Sequence, residues 1–118
     1  MVDQDSELVS ILGAYLNTQG YRVLFTNRVR AAQKKISIQK FAHIFVDPEL
    51  APDEGVKILI DLNLPASLNF KTPLTLMTTN ENFLLPMSVV KRINSLLIKP
   101  FTLEEFAFRA DKLEQKKT

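Results

Sequence analysis

The sequence predicts a single α/β domain built on a parallel sheet, and three observations lead to this fold class. Short apolar runs alternate with segments whose apolar residues recur at helical spacing, and the connections between them are short. The run at residues 41–46 is almost continuously apolar, as expected of a strand that is buried on both faces. Strands that alternate with helices in this way pair in parallel through right-handed crossovers. A chain of 118 residues is long enough to bury one such core.

Helices and strands are predicted from the period of the apolar residues and from the residues that start and stop them. Gly20 ends the first helix, and Pro86 suits the first turn of the fourth because proline lacks the amide donor that a helix interior needs. Thr102 and Glu105 have the spacing of a capping box at the start of the last helix. These signals predict helices at residues 8–16, 29–36, 55–62, 86–93 and 102–113, and strands at residues 21–26, 41–46, 74–78 and 95–99.

The predicted sheet lacks a full first strand. Only Met1 and Val2 precede the acidic cluster Asp3-Gln4-Asp5, although a sheet of this kind needs a central strand whose end presents Asp3. Two explanations stay open: a strand is missing from this sequence, or the sheet is short by one strand and the gap is filled otherwise. A missing central strand would leave unpaired backbone on two neighbours, which would also permit a strand-exchanged dimer.

Composition excludes several classes of function. Cysteine is absent, so disulfides and thiolate chemistry are excluded, and we expect a cytoplasmic protein. No apolar run approaches the roughly 20 residues that cross a bilayer, and no signal peptide is visible, so no membrane association is expected. The net charge is only +2, and the basic residues of the helix at 29–36 are interpreted as a solvated face, not as a nucleic-acid surface. His43 has no partner at metal-ligand spacing and is predicted to pack in the core.

Charged side chains follow the predicted strands at the edge where open α/β folds place their chemistry. Asp47 ends one apolar run, Lys99 ends another, and Asp3 lies near the N-terminus. If these segments are neighbouring parallel strands, the three side chains emerge together at one edge of the sheet. A simpler interpretation is that Asp3 and Asp5 cap the first helix, since carboxylates are favoured at helix N-termini.

The residues at this edge resemble those of the receiver domain of two-component response regulators, and the likeness extends over essentially the whole chain. It implies one receiver domain over residues 1–118, with a doubly wound parallel sheet of flavodoxin-like topology, strand order 2-1-3-4-5, and a cis Lys99–Pro100 peptide bond. The matching segments, in chain order, are Val2-Asp3-Gln4-Asp5, Gly20-Tyr21-Arg22-Val23, Ile44-Phe45-Val46-Asp47, Pro52 with Gly55, Pro73-Leu74-Thr75-Leu76-Met77-Thr78-Thr79, and Lys99-Pro100-Phe101.

The resemblance implies that Asp47 accepts a phosphoryl group from a histidine kinase, a phosphotransfer protein or a small phosphodonor. The Thr78 hydroxyl and the Lys99 ammonium would bind phosphoryl oxygens. Magnesium would be held by Asp3 and Asp47, with Glu49 as a further candidate ligand. Phosphorylation would then bias a surface that binds a downstream protein or a second copy of the chain. Because its output is binding, we do not expect the domain to be an enzyme.

The chain departs from the receiver pattern in its acidic pocket. The family has two adjacent acids where this chain has Asp3-Gln4, and neutral Gln4 is a poorer ligand for magnesium, so weak affinity is expected. Leu96 stands where the family has a switch aromatic. The alternative is therefore a degenerate receiver that acts as a phosphorylation-independent docking or dimerisation module. A flavin-binding electron carrier of similar topology is disfavoured, because the charged segment at residues 3–7 would repel the flavin phosphate.

Overall fold

A computed structural model of the protein describes residues 1–49, 55–79 and 87–115. The signals assigned to Pro52 and Pro86 lie outside these residues. No helix within the described ranges is long and apolar enough to cross a membrane. In chain order the elements are α1 (Ser6–Thr18), α2 (Val29–Ile38), β1 (Ile44–Val46), α3 (Gly55–Leu62), β2 (Leu74–Thr78), α4 (Met87–Val90), β3 (Ser95–Ile98) and α5 (Leu103–Gln115).

The three strands form a parallel sheet in the order β1-β2-β3. Ile44 pairs with Leu74 across the first ladder, and Thr75 pairs with Ser95 across the second. All residues of β2 are buried, as expected for a strand that is covered on both faces and flanked on both edges. The α/β class with a parallel sheet, predicted from the alternation of elements, is confirmed.

The first strand of the sheet is reduced to the surroundings of one residue. Val2 forms parallel bridges to Thr26 on one side and to Val46 on the other. The Val2 amide donates to the Phe45 carbonyl at 2.8 Å, and the Asp47 amide donates to the Val2 carbonyl at 2.8 Å. The N-terminal residues therefore lie between the segment around Thr26 and β1. If the Val2 segment is counted as the first strand and the Thr26 segment as the second, then β1, β2 and β3 are the third, fourth and fifth. The order is then the predicted 2-1-3-4-5, with a first strand that is present but short.

A regular strand at residues 21–26 was expected, and this prediction is wrong. The segment pairs with residues 1–3 in its second half. The Met1 ammonium donates to the Leu24 carbonyl at 2.7 Å, the Thr26 amide donates to the Met1 carbonyl at 3.0 Å, and the Thr26 carbonyl accepts from the Asp3 amide at 3.1 Å. The physical reason is the short partner: residues 1–3 offer too little backbone for a ladder to extend along the whole segment.

Residues that alternate along each strand pack on opposite faces of the sheet. In β1, Ile44 and Val46 join a core cluster on one face, whereas Phe45 joins a second cluster on the other. Helices cover both faces, which makes the sheet doubly wound. The first cluster includes Val29, Ala32 and Ile36 of α2 and Ile58, Leu59 and Leu62 of α3, while the second includes Leu12 and Leu16 of α1 and Phe106 and Ala110 of α5.

Helix ends follow the signals in the sequence. The Asp5 side chain caps α1 by accepting a hydrogen bond from the Leu8 amide at 3.0 Å. Gly20 follows α1 with a φ of +89°, in the left-handed region that glycine adopts without strain. At the start of α5 the Thr102 hydroxyl accepts from the Glu105 amide at 3.1 Å, which confirms the predicted cap.

Arg92 lies between α4 and β3 and bonds three backbone carbonyl groups. One is at the last residue of α3, and the other two are in the segment between α3 and β2. Its guanidinium donates to the carbonyl oxygens of Leu62 at 2.9 Å, Asn69 at 2.9 Å and Thr72 at 2.6 Å. Burial lowers the pKa of this guanidinium from its ordinary value. The planar group satisfies several acceptors at fixed angles, which a lysine ammonium cannot do.

Substituting Arg92→Lys is expected to lower the free energy of unfolding by about 1–3 kcal/mol, because carbonyl acceptors lose charged donors. Urea denaturation measures the change. The control is Arg30→Lys, at an exposed position of α2, which should change stability by no more than about 0.5 kcal/mol. Equal stability of the two variants would contradict the role of Arg92.

Candidate functional site

Three charged side chains meet at the edge of the sheet where the parallel strands end. Asp3 follows the Val2 bridge, Asp47 follows β1 and Lys99 follows β3. The Lys99 ammonium donates to Asp3 Oδ2 at 2.8 Å and to Asp47 Oδ2 at 3.0 Å. The structure thus brings together the three residues that the strand pattern places at this edge. The Lys99–Pro100 peptide bond is cis, as expected.

The three charges are shielded from water. Asp3 is 0% exposed, Asp47 is 5% exposed, and the Lys99 side chain is 14% exposed. Burial alone would favour neutral lysine, but hydrogen bonds and Coulombic attraction from Asp3 and Asp47 outweigh it and raise the pKa of Lys99. Lys99 therefore carries its positive charge at neutral pH and holds the two carboxylates side by side.

Backbone amides hold the second oxygen of each carboxylate. Asp3 Oδ1 accepts from the Asp5 amide at 2.9 Å, and Asp47 Oδ1 accepts from the Glu49 amide at 2.9 Å. Aspartate side chains commonly bond the amide two residues on in this way. Asp3 therefore does not cap α1, since that role belongs to Asp5. Both carboxylates are oriented with one oxygen on the backbone and the other on Lys99.

A second group of polar contacts lies at the end of β2. Glu49 Oε2 accepts from the Thr79 hydroxyl at 2.8 Å and from the Thr79 amide at 3.2 Å. The Thr79 hydroxyl lowers the pKa of the Glu49 carboxyl below its usual value, against opposing burial, and the Thr79 amide, the Thr78 hydroxyl and the charge of Lys99 add to this effect. Thr78 is buried and Thr79 is exposed. Glu49 therefore interacts with Thr78, Thr79 and Lys99 near the end of β2.

The contact of Glu49 with Thr79 was not expected from the sequence. Sequence reasoning assigned the site hydroxyl to Thr78 and considered Glu49 only as a metal ligand. The available signal was the pair of consecutive threonines at a strand end, since neighbouring residues of a strand present hydroxyls to different sides. His43 stacks on Phe45 with ring centroids 4.0 Å apart and its Nε2 lies 2.9 Å from the Thr75 hydroxyl oxygen. It is half-buried, so it packs beside the core and not, as predicted, within it.

Two carboxylates are available for a divalent cation at this edge. No group of three or more histidine, cysteine, aspartate or glutamate side chains capable of holding a metal occurs in the described part of the chain. Gln4 is exposed. Magnesium usually keeps several waters and binds through one or two carboxylates, so Asp3 and Asp47 fit this ion. The role of Glu49 as a third ligand stays a prediction, because its carboxylate contacts Thr79.

Comparison of the sequence alone identifies no relative: no protein-family model matches the chain, and no curated protein matches it significantly. Comparison of structures finds proteins with a similar fold. A candidate response regulator from Chloroflexus aurantiacus superimposes with a TM-score of 0.79 at 20% identity, covering 95% of this chain and 92% of its own.

Two further structures share the fold and hold ligands of interest. A response regulator from Burkholderia pseudomallei, solved with a phosphorylated aspartic acid, a calcium ion and citrate, has a TM-score of 0.73 at 21% identity, covering 99% of this chain and 70% of its own. The receiver domain of a sensor histidine kinase from Pseudomonas aeruginosa has magnesium coordinated in its active-site cleft. It has a TM-score of 0.70 at 20% identity, covering 97% of this chain and 91% of its own. The chain thus has the flavodoxin-like fold of response regulator receiver domains.

Proposed function

We propose that the protein is a receiver domain of a two-component system, in which Asp47 accepts a phosphoryl group from a histidine kinase or a phosphotransfer protein. One observation carries this proposal: the Lys99 ammonium contacts the carboxylates of both Asp3 and Asp47 at the strand-end edge of a receiver fold. The phosphorylated aspartic acid of the Burkholderia protein and the magnesium of the Pseudomonas domain support it by analogy of fold.

The proposed reaction is a displacement at phosphorus. One carboxylate oxygen of Asp47 forms a bond to phosphorus while the bond between phosphorus and the donor breaks, and the donor leaves with the electron pair. The donor atom is the imidazole nitrogen of a phosphohistidine, or the acetate oxygen of acetyl phosphate. The product on the protein is an acyl phosphate. Such transfers depend on positioning and on neutralising the charge of the phosphoryl oxygens.

The residues around Asp47 supply that positioning and charge. Lys99 would exchange its contact with Asp47 for one with a phosphoryl oxygen, while Asp3 keeps the ammonium oriented. The Thr78 hydroxyl would donate to a second phosphoryl oxygen. Magnesium, held by Asp3 and Asp47 with water, would supply further positive charge. Because Lys99 already neutralises part of the negative charge of the pocket and Gln4 is neutral, we expect the affinity of the pocket for magnesium to be weak.

The output of the domain would be binding, through the face formed by α4, β3 and α5. We expect a downstream protein or a second copy of the chain to cover this face, with its occupancy biased by phosphorylation. These three elements carry large apolar side chains that are exposed: Met87 and Val90 of α4, Leu96 of β3, and Leu103 and Phe108 of α5. The consecutive apolar residues Phe83, Leu84 and Leu85, between β2 and α4 in the sequence, lie outside the described residues.

A degenerate receiver that never carries phosphate is the second candidate function. The specific observation in its favour is that Lys99, which would have to bind a phosphoryl oxygen, already pairs with two carboxylates. The Glu49 carboxylate also accepts from Thr79, the residue after the assigned Thr78 hydroxyl. Such a module would dock its partner constitutively.

Intact-mass measurement after incubation with acetyl phosphate and magnesium separates the two functions. We expect the wild type to gain one phosphoryl group, and we expect Asp47→Asn to gain none because an amide is not a nucleophile toward phosphorus. Omission of magnesium should abolish most of the gain. A wild type that is folded by circular dichroism and gains no mass would favour the docking module.

A further inference from the structure

We propose that the Glu49 carboxylate is an internal occupant of the site that binds phosphoryl oxygens, and that it must leave this site before Asp47 can be phosphorylated. This inference rests on the proposed function and adds a step that regulates phosphorylation. The internal occupant is Glu49 Oε2, and the donors that it occupies are the amide and the hydroxyl of Thr79.

The donors held by Glu49 are the kind that a phosphoryl group requires. Glu49 Oε2 accepts from the Thr79 amide at 3.2 Å and from the Thr79 hydroxyl at 2.8 Å. An anionic carboxylate oxygen and an anionic phosphoryl oxygen compete for the same N–H and O–H donors. Thr79 directly follows Thr78, whose hydroxyl we assign to a phosphoryl oxygen, and Thr78 also contributes to the lowered pKa of Glu49. The two anions therefore compete at this end of β2.

The position of Glu49 is set by the nucleophile itself. The Glu49 amide donates to Asp47 Oδ1 at 2.9 Å. This hydrogen bond fixes the backbone of residue 49 next to the reacting carboxylate. From there the side chain reaches across to the end of β2. Release of the site therefore requires rotation of one side chain, without rearrangement of the strands.

The occupancy is expected to be reversible. Glu49 is only partly buried, and its contacts with Thr79 lie at the surface. Water can replace the hydrogen bonds that Glu49 loses, so its departure has a modest cost. We expect occupancy to slow phosphorylation by small donors about tenfold, the size of effect that a hydrogen bond to a charged group produces.

The test compares initial rates of phosphorylation by acetyl phosphate, at fixed magnesium, in the wild type, Glu49→Ala and Glu49→Asp. Aspartate keeps the negative charge but is one methylene shorter, so it separates occupancy from charge repulsion. Both variants should react about tenfold faster than the wild type. Glu104→Gln, exposed in the first turn of α5, is the control for loss of a surface carboxylate and should react at the wild-type rate.

A second readout does not depend on phosphorylation. In two-dimensional NMR spectra without any donor, the Thr79 amide resonance should move in Glu49→Ala and Glu49→Asp but stay in place in Glu104→Gln. A resonance that stays in place in all variants overturns the inference, since the contact would then be absent in solution. A fast Glu49→Ala with a slow Glu49→Asp also overturns it, in favour of charge repulsion alone.

The remaining outcomes separate this inference from the proposed function. If Glu49→Ala gains a phosphoryl group and the wild type does not, the inference stands while phosphorylation of the natural chain fails. If wild type and variants react equally fast, the proposed function stands and the inference fails. If the variants react more slowly than the wild type, Glu49 assists the reaction, as a metal ligand would, and the inference fails. If no protein reacts, both fail, because an oxygen site that stays inactive without Glu49 is not blocked by it.

Discussion

Replacing Lys99 with methionine is expected to lower the free energy of unfolding by about 3–5 kcal/mol, because it leaves two buried carboxylates without their cation. Asp3 Oδ2 and Asp47 Oδ2 both depend on the Lys99 ammonium. Methionine is unbranched and adapts to the space of the lysine stem, so the change removes charge with little loss of packing. The backbone amides that bond the other carboxylate oxygens remain.

Urea denaturation at neutral pH, with and without magnesium, measures this prediction. Magnesium should stabilise Lys99→Met more than the wild type, since a divalent cation can take the position between the two carboxylates. Lys71→Met, at an exposed position, is the control and should change stability by about 0.5 kcal/mol or less. Unfolding of Lys99→Met at the same urea concentration as this control would contradict the structure of the site.

The pH dependence of the wild type has a definite sign. Burial disfavours the charge of Lys99, but its hydrogen bonds to Asp3 and Asp47 raise its pKa above the ordinary 10.5. The stabilisation by Lys99 is thus complete below this value and is lost only as the pH rises through the higher pKa of the folded state. The difference in stability between the wild type and Lys99→Met should therefore shrink in strongly alkaline solution.

The Asn69→Ala substitution is the second change with a large expected effect. Asn69 is 0% exposed and lies in the turn region between α3 and β2. Its amide nitrogen donates to the carbonyls of Ile36 at 2.7 Å and Gln39 at 2.9 Å, while its Oδ1 accepts from the Phe41 amide at 2.8 Å and the Thr72 hydroxyl at 2.9 Å. One side chain therefore satisfies the backbone that connects α2 to β1.

Loss of this side chain is expected to cost about 3 kcal/mol or more, because several buried polar groups lose their partner and water does not reach them easily. Thermal and urea unfolding measure the loss. Asn17→Ala, at an exposed position of α1, is the control and should cost less than about 1 kcal/mol. Asn69→Asp sharpens the test, since a carboxylate cannot donate to Ile36 or Gln39 and should be at least as destabilising as alanine. A stable Asn69→Asp would contradict the assignment of the amide donors.

Much of the fold was predictable because buried strands are rich in apolar and β-branched residues. Residues 44–46 lie within a near-continuous apolar run, which is typical of a strand covered on both faces. Residues 74–78 combine leucine and methionine with β-branched threonine, a composition that favours a strand. Residues 21–26 show a similar pattern, yet they pair only in their second half. Whether such a segment forms a ladder depends on the length of its partner, and that partner is only the surroundings of Val2. Local sequence does not contain this information.

The site was predictable to the same extent. Asp47 and Lys99 end their strands, so the topology alone brings them to one edge. The contact between Glu49 and Thr79 depends on how a side chain after β1 reaches the end of β2, and no periodicity reports it. Asn69 and Arg92 lie in connecting segments without apolar period. Their role as hydrogen-bond centres follows only from the tertiary structure, since their partners are backbone groups from distant parts of the chain.

The most direct measurement locates the proposed acyl phosphate in the chain. After incubation with acetyl phosphate and magnesium, borohydride reduces an aspartyl phosphate to homoserine, which is stable to proteolysis and peptide mass spectrometry. We expect homoserine at position 47 in the wild type, and none at that position when magnesium is omitted. Recovery of unmodified aspartate at position 47 from a folded, magnesium-treated wild type, or homoserine at position 3 instead, would contradict the role of Asp47 as phosphoacceptor.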